Sequence, residues 1–165
     1  MGSKSAFTPE EWGDLLRAPL MAGLAVSAAS PSGLLGAIQE ATALSRLLVE
    51  AKKSAGTNPI VEAVVQDLMT AEGREQAKPP AILGKGADEI RKEALDSVRR
   101  AAAVIGRKDP DEALGYKEWI GSIARTVAEA SKEGGFLGFG GTKVSEAEVS
   151  TLRDLDGILG ISARV

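Results

Sequence analysis

The chain reads as an all-α protein, a compact bundle of about six helices, and three observations predict it. Helix-start signals recur along the 165 residues, each made of a short polar capping residue with proline or an acidic residue at its proper offset. Behind each start, apolar residues return at the three-and-four spacing of one helix face. Nowhere over a useful length do apolar and polar residues alternate with period two, as a half-buried strand requires. The length suits one helical domain over 1–165, enough to bury a core without disulfides or a metal.

The first start is Thr8-Pro9-Glu10-Glu11, with Thr8 and Glu11 spaced as a capping box and Phe7 and Trp12 as its hydrophobic staple. Residues 1–6 before it carry no apolar segment and are expected to be disordered. The helix behind it shows Trp12, Leu15, Leu16, Leu20 and Leu24, with Pro19 as a kink. Ser30-Pro31 opens a second helix bearing Leu34, Leu35, Ile38, Ala41, Leu44 and Leu48. Small residues crowd these two helices (Ala22, Gly23, Ala25, Ala28, Ala29, Gly36, Ala37), which implies close approach between helices. Asn58-Pro59 opens a third, with Ile60, Val61, Val64, Val65 and Leu68 on its face.

Residues 72–86 then break the period with Pro79, Pro80, Gly84 and Gly86 and are expected to form a surface loop. A fourth helix from about Ala87 carries Ile90, Ala94, Val98, Ala101 and Ile105. Asp109-Pro110, with Glu112 at the box position, opens a fifth bearing Tyr116, Ile120, Ile123 and Val127. Ser145 with Glu148 forms another capping box, flanked by Val144 and Val149 at staple spacing, and the sixth helix follows with Leu152, Leu155 and Leu159. Trp12 and Trp119, each among apolar neighbours, are expected in the core or at its rim. The runs 25–48 and 126–155 both read helix, small-residue turn, capped helix, an echo of a duplicated hairpin that chance similarity between amphipathic hairpins also produces.

Composition narrows the chemistry. The chain has no Cys and no His. Triads built on imidazole or thiolate, sulfur-ligated zinc and histidine-ligated metals are therefore excluded, and no cofactor is expected. A formal charge of −3 gives no basic field for a nucleic-acid backbone. The longest weakly polar stretch, Ala18 to Ala29, falls short of the roughly 20 residues that cross a bilayer. No transmembrane segment or secretory leader is read, and a cytoplasmic protein is expected.

The segment 132–148, KEGGFLGFGGTKVSEAE, is the most distinctive, with five glycines around Phe136, Leu137 and Phe139 between two helices. Glycine supplies backbone freedom, while the apolar side chains must be buried somewhere. Two readings stay open: a 132–144 loop whose rings plug the bundle, or an exposed apolar tip that captures a protein partner. A phosphate loop is unsupported, since the glycines do not match the Walker pattern and no strand precedes them.

Asp154-Leu155-Asp156-Gly157 resembles the start of a calcium loop only superficially, because the ILGISARV that follows Gly157 holds no Glu at the required distal position. Glu146 and Glu148 read as first-turn acids favoured by the helix dipole. Arg91, Lys92, Arg99, Arg100, Arg107 and Lys108 form a ridge interleaved with Glu89, Glu93 and Asp96, the pattern of a salt-bridged surface more than of a nucleic-acid stripe.

The order helix, Gly-containing turn, Val144-Ser145-x-x-Glu148 and apolar helix resembles the tellurite-resistance TerB-like fold, a helical domain with an internally duplicated hairpin. The resemblance covers at most 15–55 and 120–160. It implies acidic metal ligands near the turn, but the family's Asp-Gly is replaced by Ser30-Pro31-Ser32-Gly33 in one copy and Lys132-Glu133-Gly134-Gly135 in the other. Glu133, Glu146 and Glu148 are left as the candidate ligands it implies. The whole chain also looks like a bacterial all-helical family ending in a KEGGFLGFGG-type segment, with no activity attached.

Three functions follow as expectations. The first is a non-enzymatic interaction or scaffolding domain that contacts a protein through Phe136, Leu137 and Phe139. The second, implied by the resemblance, is a divalent-metal or stress-responsive module using Glu133, Glu146 and Glu148. The third is an enzyme working through carboxylates or Lys, which requires a deep polar pocket. No catalytic residue is assigned.

Overall fold

A computed structural model of the chain describes residues 3–29, 53, 56, 58–81, 84–133 and 145–161, without the side chains of 130–133. Its helices are α1 (Pro9–Ala29), α2 (Pro59–Leu68), α3 (Ala71–Gln76), α4 (Ala87–Lys108), α5 (Pro110–Glu133) and α6 (Glu146–Leu159). The described residues contain no strand, and the helices pack on one another as an all-α bundle. The predicted second helix, and with it residues 30–48 of the first half of the hairpin echo, lies outside the described residues, as does the 134–144 turn of the second half.

The caps hold the starts where their chemistry places them. Thr8 Oγ1 accepts from the Glu11 amide at 3.2 Å while Glu11 accepts from the Thr8 amide at 2.9 Å, and the Phe7 and Trp12 rings stack beside them, 5.6 Å apart. Asn58 Oδ1 takes the amides of Ile60 and Val61 at the head of α2. Ser145 and Glu148 exchange both bonds of a capping box at the head of α6. At the other end of α6, Gly160 sits at φ +65°, the left-handed conformation that closes a helix and that glycine adopts without a Cβ penalty.

α1 is the central element. It touches each of the other five helices, most extensively α4, and from Trp12 to Ala29 none of its residues is fully exposed. Small side chains make this possible: Ala18, Ala22 and Ala25 of α1 and Ala94 and Ala101 of α4 are completely buried. Larger residues fill the rest of the core, among them Leu15, Leu16, Ile60, Ile105, Ile120 and Ile123. Each such aliphatic side chain, buried fully, contributes about 1.5–3 kcal/mol against the entropy of ordering it.

Pro19 sits inside α1 without ending it. It has no N–H for the carbonyl of Leu15 one turn earlier. That carbonyl instead accepts a hydrogen bond from the Tyr116 hydroxyl on α5, at 2.8 Å. A local defect in one helix thereby becomes a tie between two.

Two loop expectations are corrected. Residues 4–6, expected to be disordered, form a 3₁₀ turn, because Lys4 reaches Asp67 of α2 at 2.6 Å and lies 5.9 Å over the Trp12 ring. The expected 72–86 loop begins with a helix, α3, capped by Thr70, whose hydroxyl accepts from the Gly73 amide at 2.9 Å and donates to the Asp67 carbonyl at 2.7 Å. Position 73 must be glycine, since a Cβ there would lie 2.0 Å from that same carbonyl oxygen. A six-residue helix is too short to persist alone. It is held from outside, by Gln76 Nε2 donating to the Pro9 carbonyl at 2.8 Å and by Arg17 of α1.

Candidate binding cleft

Arg17 lies one turn before the buried Met21 on α1, and its guanidinium donates to the main-chain carbonyls of Gln76 and Lys78, each at 3.2 Å. These bonds draw the segment after α3 across the flank of α1 and α4. Between the three lies a cleft of about 460 Å³, within the usual size of a ligand site. Arg17 and Met21 line it from α1, Lys78 and Pro80 from the crossing segment, and Glu93, Asp96, Ser97 and Arg100 from α4.

Most of the charges are already engaged. Glu93 is paired with Lys85, and Asp96 with Lys92 and Arg99. Burial pushes the Asp96 carboxyl up, but its two cationic neighbours outweigh this and hold it below the usual carboxylate range, so it stays ionised. Arg17 also contacts Asp14 at 3.4 Å. Arg100 is less committed: among the described residues its ionic partner is Asp14, at 3.7 Å, beyond hydrogen-bond length. Lys78 pairs with Glu75 in the open, both side chains about 70% exposed, a bond that water and salt readily exchange.

Ser97 is the exception. It belongs to the core-facing stripe of α4 with Ile90, Ala94, Val98, Ala101 and Ile105 and is only 1% exposed. Among the described residues its hydroxyl has no hydrogen-bond partner. Among the described residues the Trp119 indole N–H is also buried without a partner. A second groove, of about 600 Å³, runs between α4 and α6 past Leu95, Arg99, Arg153 and Ile158.

The residues singled out by sequence fare differently. Phe136, Leu137 and Phe139 lie outside the described residues. Glu133 ends α5, with its side chain outside the description. Glu146 is exposed in the first turn of α6, whereas Glu148 is 3% exposed. One oxygen of Glu148 accepts from both the amide and the hydroxyl of Ser145, at 2.8 and 2.9 Å. Two positions apart on a helix, these acids point to different sides. No set of three or more acidic side chains arranged to hold a metal occurs among the described residues.

The basic ridge resolves into ion pairs across helices, Arg91 with Asp154, and Arg107 and Lys108 with Glu11. Asp156, of the superficial calcium motif, pairs with Arg125 at 3.2 Å.

Sequence reasoning missed the cleft. One signal was present, a serine at position 97 on an otherwise apolar stripe. The crossing of residues 78–80 over that stripe was not legible, since it depends on Arg17 binding carbonyls some 60 residues away. Comparison of the chain with protein-family models, with curated proteins and with solved structures gives no match.

Proposed function

We propose that this chain is a non-enzymatic interaction domain that receives a segment of a protein partner in the α1–α4 cleft. The reading is carried by the lining of the cleft, in which the apolar surfaces of Met21 and Pro80 lie among charged side chains of both signs. Apolar contact surrounded by polar and charged groups is the usual composition of a protein-recognition surface. Asp96, held ionised, has no proton to give as a general acid at neutral pH, which favours binding over proton donation. The apolar run Phe136, Leu137 and Phe139, in the segment joining α5 to α6, supplies a second contact in this reading.

The test is a pull-down from the native host with the full chain as bait, alongside Arg100→Glu and the double variant Phe136→Ala, Phe139→Ala. A partner recovered in amounts comparable to the bait, lost with either variant while helical circular dichroism is unchanged, is the expected result. Equal recovery by all three baits would remove the cleft and the apolar run from the interaction. Unfolding of the double variant would place the two rings in the core instead.

A further inference from the structure

We infer that the group recognised at the inner end of the α1–α4 cleft is a carboxylate. The inference rests on the cleft being a binding site, as proposed above, and adds the chemistry of what enters it. Three observations carry it. Ser97 lines the cleft, and among the described residues its buried hydroxyl has no partner, a state that costs free energy unless a ligand supplies the missing bond. Arg100 lies three residues further along α4, on the same face, and lines the same cleft. Its nearest acid, Asp14, is too far for a hydrogen bond, so the guanidinium fork is available. Lys78, on the opposite wall, is tied among the described residues to the exposed Glu75.

A hydroxyl donor beside an arginine fork is suited to an oxyanion, with one oxygen bonded to Ser97 and the two oxygens facing Arg100. The carboxylates of Glu93 and Asp96 in the same wall decide which oxyanion. Their charges are compensated by Lys85, Lys92 and Arg99 but not removed. A phosphate dianion meets twice the repulsion from these two acids that a monoanion meets and has more oxygens than one hydroxyl and one uncommitted fork can serve, whereas a planar carboxylate places both its oxygens on that fork. Within a protein partner this is an Asp or Glu side chain; a free carboxylic acid offers the same atoms.

The probes are the blocked peptide acetyl-Gly-Glu-Gly-amide, its Gln counterpart, acetate and inorganic phosphate, each titrated into the full chain and followed by backbone amide chemical shifts. Saturable shifts at Asp96, Ser97 and Arg100 with the Glu peptide are expected. The Gln peptide and phosphate are expected to bind at least tenfold more weakly. Acetate binding as well as the Glu peptide identifies a free acid as sufficient, and weaker acetate binding assigns the site to a peptide side chain; either supports a carboxylate.

Ser97→Ala and Arg100→Gln should each weaken the Glu peptide roughly tenfold, the loss of one charge-assisted hydrogen bond. Glu and Gln peptides binding alike would overturn the carboxylate, as would Ser97→Ala leaving affinity unchanged, which makes the hydroxyl the partner of an ordered water. If no probe moves these amides while Arg100→Glu still loses a partner in the pull-down, the carboxylate fails and the interaction reading stands. If Arg100→Glu shows no such loss, the cleft fails as the place of interaction, independently of the carboxylate.

Discussion

Tyr116 gives its hydroxyl proton to the main-chain carbonyl of Leu15, 2.8 Å away and wholly buried, and so repairs the bond that Pro19 cannot make in α1. Tyr116→Phe keeps the ring and removes the repair. An orphaned buried carbonyl costs about 1–3 kcal/mol, and a thermal melt of the variant should fall by roughly 2–4 °C for each kcal/mol. In a Pro19→Ala background the restored N–H at position 19 can take the carbonyl, so Tyr116→Phe should cost less there. A double-mutant cycle reads the difference as a coupling of about 1 kcal/mol; strict additivity would break the link between the two residues.

The same phenol gives a pH test. Burial, and secondarily the charge of Asp14, push it well above its ordinary value of 10.0. The folded state therefore holds the proton more tightly than the unfolded chain. Its contribution to stability is complete below about pH 10 and is lost as pH rises above it, because only the unfolded tyrosine ionises readily there. Absorbance of the chain's one tyrosine near 295 nm should rise together with unfolding monitored by circular dichroism. Ionisation of a still helical protein at pH 10 would contradict the buried geometry.

Asp67 works in the opposite direction. Burial raises its carboxyl, but the Lys4 ammonium and the Trp12 indole, at 2.6 and 2.8 Å, outweigh this and hold it below its ordinary value of 3.8. A depressed carboxyl stabilises the fold above its unfolded value, and that stability is lost as pH falls through the folded one. Melting temperature should fall below about pH 4, less steeply in Asp67→Asn, which keeps an acceptor for Trp12. Asp67→Ala should cost about 1–2 kcal/mol at neutral pH, measured by urea unfolding.

Asn58 and Gly115 depend on each other. Asn58 caps α2 and donates through Nδ2 to the Glu112 carbonyl of α5 at 3.1 Å. A Cβ at position 115 would lie 2.5 Å from that Nδ2. Gly115→Ala should therefore destabilise by about 1–3 kcal/mol despite the better helix propensity of alanine. Combined with Asn58→Ala, which removes the obstructed group along with the cap, the double variant should lose less stability in denaturant melts than the sum of the two single losses.

Ser97→Ala should leave the unliganded protein as stable or raise its stability by about 1 kcal/mol, since it removes a buried hydroxyl with no partner among the described residues. Differential scanning calorimetry without added ligand measures this directly. A loss beyond 1 kcal/mol would mean that the hydroxyl already has a structural role.

What was legible in the sequence was legible for local reasons. Thr8, Asn58 and Ser145 cap helices through bonds spanning two or three residues, so spacing alone reveals them. Trp12, Ile60, Ile90, Tyr116 and Leu155 announced their burial through periodicity, and all are in the core. α3 escaped because six residues with a glycine carry no period and gain their order from Pro9 and Arg17. The same kind of distant contact orders Lys4 on Asp67. The acids offered as metal ligands were visible as types, and one of them, Glu148, closes the capping box on Ser145.

By itself, then, the sequence determined the all-helical class, the starts of the described long helices and the exclusion of imidazole and thiolate chemistry. Each is set by residue identity or by interactions within one turn. Tertiary structure decided that α1 runs through the centre, that its proline is tolerated, and that Arg17, Ser97, Arg100 and residues 78–80 enclose a cleft. These depend on groups far apart in the chain meeting at hydrogen-bond distance, and local spacing carries no record of where distant segments cross.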